Sequence, residues 1–250
     1  MSYALRTEAL SKQWGGFLAN SGISLAFSVG ARHALIGPNG AGKTTFINLL
    51  AGVYAPSAGE VYLGEERITH LPQHERVKRG MTRTFQISTL FPGLSVLESL
   101  VLAVCERKGL AETWTRTVDR CREEIDEAWE LLSRLNLERD ANAITRNLPY
   151  GKQRLVEIAL ALATRPGILL LDEPAAGIPS GESAELFGVI DKLPEDATIL
   201  FIEHDMDLVF RFARRITVLV AGRVLTEGTP QEIATDERVR EVYLGEAQHG

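Results

Sequence analysis

At 250 residues the chain is long enough for one substantial α/β domain, or for one core carrying a smaller inserted subdomain. With 45% hydrophobic and 24% charged residues it is not a disordered chain, and 33 acidic against 27 basic side chains, a net charge of -6, argue against nucleic acid as a partner. Two cysteines, Cys105 and Cys121, have no CxxC spacing, which excludes a disulfide scaffold and fits a reducing compartment.

The chain opens with Met1-Ser2-Tyr3-Ala4, without the pattern of a secretion signal, and no apolar run approaches the 18 or more residues of a membrane span. The first 36 residues read as short strands and turns punctuated by Gly15-Gly16 and Gly30-Ala31. The last of them, Arg32–Ile36, is apolar at its end and bounded by glycine, as a buried strand is. A helix is predicted from Lys43 to about Leu50, closed by Gly52 and Pro56, and a strand over Gly59–Leu63. Between Glu106 and Asp140, 17 of 35 positions are charged, yet Val118, Ile125, Leu132 and Leu135 recur at helical spacing. Trp129 adds a position to that stripe, predicting a surface helix with one buried face. The change of character predicts a helical subdomain over 94–165 between two parts of an α/β core, 1–93 and 166–250. Residues 168–171 are fully apolar and 197–202 nearly so, with Thr198 the one polar member; bounded by turns, both read as parallel strands covered on both faces, and Ile216–Val220 as one more strand.

Between the strand at Ile36 and the helix at Lys43 stands Gly37-Pro38-Asn39-Gly40-Ala41-Gly42-Lys43-Thr44, an unbroken GxxxxGK[ST] followed by Thr45. Such glycines let successive amides turn inward around a phosphate, and the helix start adds its positive end. Lys43 is expected to reach the β- and γ-phosphates of ATP, and the Thr44 hydroxyl to ligate Mg²⁺. Downstream, Ile168–Leu171 delivers Asp172 and Glu173 at the carboxyl end of a predicted parallel strand, where open α/β sheets bind their ligands. Asp172 is the candidate for holding the magnesium and Glu173 for polarising the attacking water. His204 follows the strand ending at Ile202 and is placed to donate to the γ-phosphate or to align the water. His70 and His74 read as surface groups and His33 as a packed or edge histidine.

These motifs, together with Thr84-Phe85-Gln86, Leu148-Pro149-Tyr150-Gly151-Lys152-Gln153-Arg154 and Glu203-His204-Asp205, resemble the ATP-binding subunit of an ABC transporter over nearly the whole chain. The resemblance implies an α/β P-loop NTPase core with a mostly parallel sheet, an N-terminal antiparallel β subdomain and an inserted α-helical subdomain. It implies that Gln86 senses the γ-phosphate or the magnesium. Trp14 would stack on adenine, against the alternative of an aromatic core anchor. Gly151 would be donated to the site of a second ATP-binding subunit in a nucleotide-sandwich dimer. Two transmembrane permease subunits and a solute-binding protein are the further partners implied, at the cytoplasmic face of the cell membrane. A narrower likeness, carried by Arg83-Thr84-Phe85-Gln86, Tyr150-Gly151, Asp172–Gly177 and Glu227-Gly228-Thr229-Pro230, is to the branched-chain amino acid uptake ATPases. Importers of urea, short amides or other polar solutes, and a non-transport ABC ATPase acting on a soluble complex, remain alternatives. A kinase or switch explains neither the signature nor His204.

Two departures from the broad family stand on the face that is donated. Pro149 and Tyr150 replace the usual Ser and Gly, and proline has neither a hydroxyl nor an N–H to offer a phosphate. Pro179 stands where a polar residue is common. These changes are expected to slow the partner's site, or else to be tolerated locally.

Overall fold

In a computed structural model of the protein, residues 3–84, 91–110 and 121–246 are described. The chain divides into two units, one made of Met1–Met81, Gly167–Pro174 and Pro194–Gly250, the other of Thr82–Pro166 and Ala175–Leu193.

The first unit contains two sheets. In one, β1 (Tyr3–Trp14), β2 (Phe17–Ile23), β3 (Ala26–Ser28), β5 (Ala58–Leu63) and β6 (Glu66–Arg67) pair antiparallel in the order β2-β1-β5-β6, with β3 also on β1. The other runs β11-β10-β4-β9-β8-β7, from β4 (Arg32–Ile36), β7 (Met81–Arg83, of which only Met81 belongs to this unit), β8 (Ile168–Asp172), β9 (Thr198–Ile202), β10 (Arg215–Val220) and β11 (Arg223–Gly228). Strands β10, β4, β9 and β8 are mutually parallel, and β11 returns antiparallel at the edge. The apolar runs of β4, β8 and β9 are buried along nearly their whole length, as two-sided cover demands.

Helix α1 (Lys43–Ala51) packs Phe46, Ile47, Leu49 and Leu50 into one core with Leu35, Leu170, Leu200 and Ile202. Each such side chain removed from water contributes about 1.5–3 kcal/mol. The C-terminal end of α1 is held by Arg76 of α2 (Gln73–Lys78), whose side chain is 1% exposed. Its guanidinium donates to the carbonyls of Leu49 at 2.8 Å, Leu50 at 2.6 Å, Leu71 at 2.9 Å and Thr69 at 3.0 Å. Burial lowers its pKa to about 10, so it remains a cation on the orphan carbonyls where the helix dipole is negative. His33 of β4 is packed, as expected: it hydrogen-bonds Thr217 Oγ1 at 2.7 Å and meets Phe27 edge-on. Burial, with Arg215 second, lowers its pKa to about 4.

The second unit is helical: α3 (Val96–Arg107), α4 (Arg122–Arg134), α5 (Tyr150–Ala163) and α6 (Ser180–Asp191). Ser95 and Glu98 form a reciprocal capping box at the start of α3. The ion pairs Arg107–Glu127 (2.7 Å) and Lys108–Glu124 (2.8 Å) join α3 to α4. The helical unit has other bounds than the 94–165 expected from sequence, Thr82–Pro166 with Ala175–Leu193. The stripe expected on α4 needs correction. On α4 the buried face is Ala128, Leu131 and Leu132, continued by Leu135, while Ile125 is half-buried and Trp129 is 40% exposed. Val118 lies outside the described residues.

Two short helices, α8 (Pro230–Thr235) and α9 (Glu237–Glu246), follow β11 in the first unit, after α7 (Met206–Phe212). Among the described residues no helix is long and apolar enough to cross a membrane.

Candidate functional site

Three neighbouring parallel strands end at one level. Leu35 of β4 is opposite Ile202 of β9, and Ile202 is opposite Asp172 of β8. The chain leaves those ends as the glycine loop at Gly37, as Glu203-His204 and as Glu173, so the three motifs converge at the carboxyl edge of one sheet.

The loop from Gly37 to Gly42 is shaped by close approaches that only glycine permits. A β-carbon on Gly37 would fall 2.0 Å from the Leu219 carbonyl oxygen, and one on Gly42 2.4 Å from that of Ala19. Gly42 is the N-cap of α1 in a left-handed conformation, with no capping side chain and no acidic residue in the first turn. The first amides of α1 are therefore left to an anion. Lys43 folds over the loop, donating Nζ to the carbonyls of Gly37 at 2.6 Å and Pro38 at 3.0 Å. Asn39, Gly40 and Thr44 are exposed, Pro38 and Thr45 half-buried, and Ala41 buried. This loop fits a phosphate chain: bare amides, a cation across the cradle and an open rim.

Glu173 adopts φ 50°, a left-handed conformation unusual for a side chain with a β-carbon. Its amide donates to the Ile202 carbonyl at 3.1 Å, and its Oε1 lies 2.9 Å from His204 Nε2. Carboxylate and imidazole thus stand in contact on adjacent strand ends, both side chains partly open to solvent. Asp205 follows as the N-cap of α7, its Oδ1 accepting from the amides of Asp207 and Leu208, which fixes the backbone just after His204.

The donor set also fits magnesium. The Thr44 hydroxyl and the Asp172 carboxylate are hard oxygen ligands of the kind that ion takes, with water and substrate phosphates completing its shell. Among the described residues no group of three or more His, Cys, Asp or Glu side chains could hold a metal ion. Gln86 lies outside the described residues.

Trp14 is not a core anchor. It ends β1 at 47% exposure, with Tyr54 edge-on at 5.1 Å between ring centroids and Lys12 Nζ 4.2 Å from its own ring centroid. Nothing in the sequence marks these two supports beyond residue type, Tyr54 two positions after Gly52 and Lys12 two before the tryptophan.

In the second unit, Pro149 is the N-cap of α5 with φ -54° and ψ 150°, which suits proline where no intrahelical donor is needed. Tyr150 is exposed and Gly151 half-buried in the first turn. Lys152 pairs with Asp140 at 2.6 Å.

Residues 20–176 match the model of a family described as ABC transporter. The chain belongs to the ABC transporter family. As an ABC cassette it is an ATPase with the α/β P-loop fold that the resemblance implied. Residues 223–249 also match a family described as branched-chain amino acid ATP-binding cassette transporter. The chain is 41% identical over 250 residues to the high-affinity branched-chain amino acid transport ATP-binding protein LivG of Salmonella typhimurium, covering 97% of this chain and 98% of that one. Among solved structures, it is similar to the ADP conformation of an ATP-binding cassette of an ABC transporter (TM-score 0.86, 31% identity, 98% of this chain and 99% of the other). A dimeric structure of a bacterial ABC transporter cassette matches with TM-score 0.77 and 28% identity, over 90% of this cassette and 98% of that one.

Proposed function

We propose that this cassette is the ATP-hydrolysing subunit of an importer of branched-chain amino acids. In this reading it works at the cytoplasmic face of the cell membrane with a second ATP-binding subunit, two permease subunits and a solute-binding protein. The observation that carries the hydrolytic part is the 2.9 Å contact between Glu173 and His204 at the strand ends beside the phosphate loop. The cargo is supported by the C-terminal family match at 223–249 and by the full-length likeness to LivG.

The chemistry follows from the side chains. Trp14 offers its exposed face to the adenine, and the amides of 39–45 with Lys43 hold the phosphates. Glu173 accepts a proton from a water whose oxygen attacks the γ-phosphorus, the bond to the β–γ bridging oxygen breaks, and ADP and phosphate leave. His204, held against Glu173, keeps that carboxylate aimed and offers a donor to the transferring phosphoryl group. Thr44, Asp172 and Gln86 would hold Mg²⁺, which when bound neutralises charge on the β- and γ-phosphates. Gly151, at the bare start of α5, would face the nucleotide of the opposed subunit.

The reading is tested in proteoliposomes containing the cassette, its second ATP-binding subunit, the permeases and the binding protein. Glu173→Gln should keep ATP binding and lower turnover by about 10²-fold or more, as loss of a general base does, stopping leucine uptake with it. A variant within twofold of the unmodified rate removes Glu173 from the chemistry. ATP-driven uptake of urea or a short amide, with none of leucine, replaces the cargo.

A further inference from the structure

Tyr150, the first residue of α5, lies against the backbone of Gly177. A β-carbon built on Gly177 would stand 3.3 Å from Tyr150 Cε1, 3.6 Å from its Cζ and 3.7 Å from its hydroxyl oxygen, so the ring covers the glycine where a side chain would begin. Gly177 has φ 75°, and the turn it belongs to is tied by the Ile178 amide donating to the Ala175 carbonyl at 3.1 Å. Ser183 Oγ donates from within α6 to the carbonyls of Ile178 at 3.3 Å and Pro179 at 3.1 Å.

The ring is itself held. Arg154, one helical turn along α5, donates Nη2 to the Tyr150 hydroxyl at 3.1 Å, with its guanidinium 5.4 Å from the ring centroid. Its Nη1 donates to Glu157 Oε2 at 2.7 Å, and Glu157 is 1% exposed. A chain of contacts therefore runs from a buried carboxylate through Arg154 and Tyr150 to the turn at 177–179.

We propose that Tyr150 is a positioning residue that clamps the 177–179 turn to the start of α5, so that signature and turn meet the opposed nucleotide as one rigid face. This rests on the reading that the start of α5 faces a partner's nucleotide. Pro149 offers no N–H and Pro179 no polar side chain, so backbone placement is what this face can contribute. Backbone ordered before the subunits close is not ordered at the expense of closure, which is the benefit of preorganisation. The Tyr150 ring serves the purpose where the family's usual glycine would leave the turn uncovered.

The experiment has two arms on full-length protein. In the isolated chain, hydrogen exchange at the Ile178 amide should speed by about tenfold in Tyr150→Ala, as a local opening made easier, and stay near the original in Tyr150→Phe, which keeps the ring. In the reconstituted transporter, Tyr150→Ala should lower kcat for ATP severalfold with KM unchanged, and Tyr150→Phe should restore it. Tyr150→Leu, which keeps apolar bulk on the turn, serves as the second variant should the alanine chain fold poorly, and it should fall between the two. An Ile178 amide indifferent to the loss of the ring overturns the clamp. Faster exchange with kcat unchanged overturns the positioning role. An unmodified transporter with no ATP turnover defeats the proposed function instead, while the exchange arm still decides whether Tyr150 holds the turn.

Discussion

Helices α1 and α5 both start bare, without a capping side chain or an acidic residue in the first turn. Elsewhere α3, α7 and α8 are capped by Ser95, Asp205 and Thr229, which satisfy their own first amides. Both bare starts also carry a lysine where the helix dipole is positive, an unfavourable place unless an anion arrives or a partner compensates. There the likeness ends. Lys43 rests on two carbonyls of its own loop, neutral acceptors that a phosphate displaces readily. Lys152 is held by the full charge of Asp140 at 2.6 Å, and ahead of it Pro149 has no N–H to give. One start is equipped to take phosphate by itself; the other offers a few amides and depends on how they are placed.

That contrast breaks first at Lys43. Lys43→Ala should weaken ATP binding to the isolated chain by about 1.5–3 kcal/mol, the worth of a hydrogen bond to a charged group, whereas Lys152→Ala should leave that affinity unchanged. Calorimetry on the two variants is the check, and equal losses would make the two lysines equivalent.

Acid should act on the strand that delivers Lys43. His33 of β4 has its pKa lowered to about 4 by burial, with Arg215 contributing, against 6.5 when unfolded. Between those values the unfolded chain binds a proton that the native one refuses, so stability is full above about pH 6.5 and falls as the pH drops toward 4. The slope from this one group is about 1.4 kcal/mol per pH unit inside the window. Urea unfolding from pH 7 to 5 measures it, and His33→Gln should flatten the dependence by that amount. An unchanged slope would mean that His33 is protonated in the native protein.

The smallest effect sharpens the comparison at the other helix. Pro149→Ser gives α5 a hydroxyl and an N–H, and turnover at the partner's site in the assembled complex should rise by the worth of one neutral hydrogen bond, about 0.5–1.5 kcal/mol. Turnover with the partner subunit's own general base intact, and Glu173 disabled in this chain, isolates that site. No gain would show that the amides after Pro149 already suffice.

Much of the catalytic edge was legible beforehand because its signals are local. The loop 37–44 is one contiguous motif, and β8 and β9 are apolar runs whose bounding residues mark their carboxyl ends. The contact between Glu173 and His204, 31 positions apart, follows once those strands are neighbours. The rest depends on tertiary context. Arg76 sits among charged residues and reads as surface, yet it is the cap of α1. Trp129 falls on an apolar stripe at 125, 129, 132 that competes with the one actually buried at 128, 131, 132, 135, and spacing alone does not choose between them. The stretch 175–193 follows a buried strand as any crossover would, so its membership of the helical unit had no mark in the residues.

The left-handed backbone at Glu173 has a consequence for how such a site could decay over generations. A glutamate there costs on the order of 1–2 kcal/mol that glycine would not, with asparagine or aspartate intermediate. Once hydrolysis at this position ceased to be selected, the substitutions that relieve the strain would be the ones that silence the site, and drift and stability would pull the same way. Glutamate at such an angle stands against that bias, and a sister subunit with glycine or asparagine at this position is expected to bind ATP without hydrolysing it.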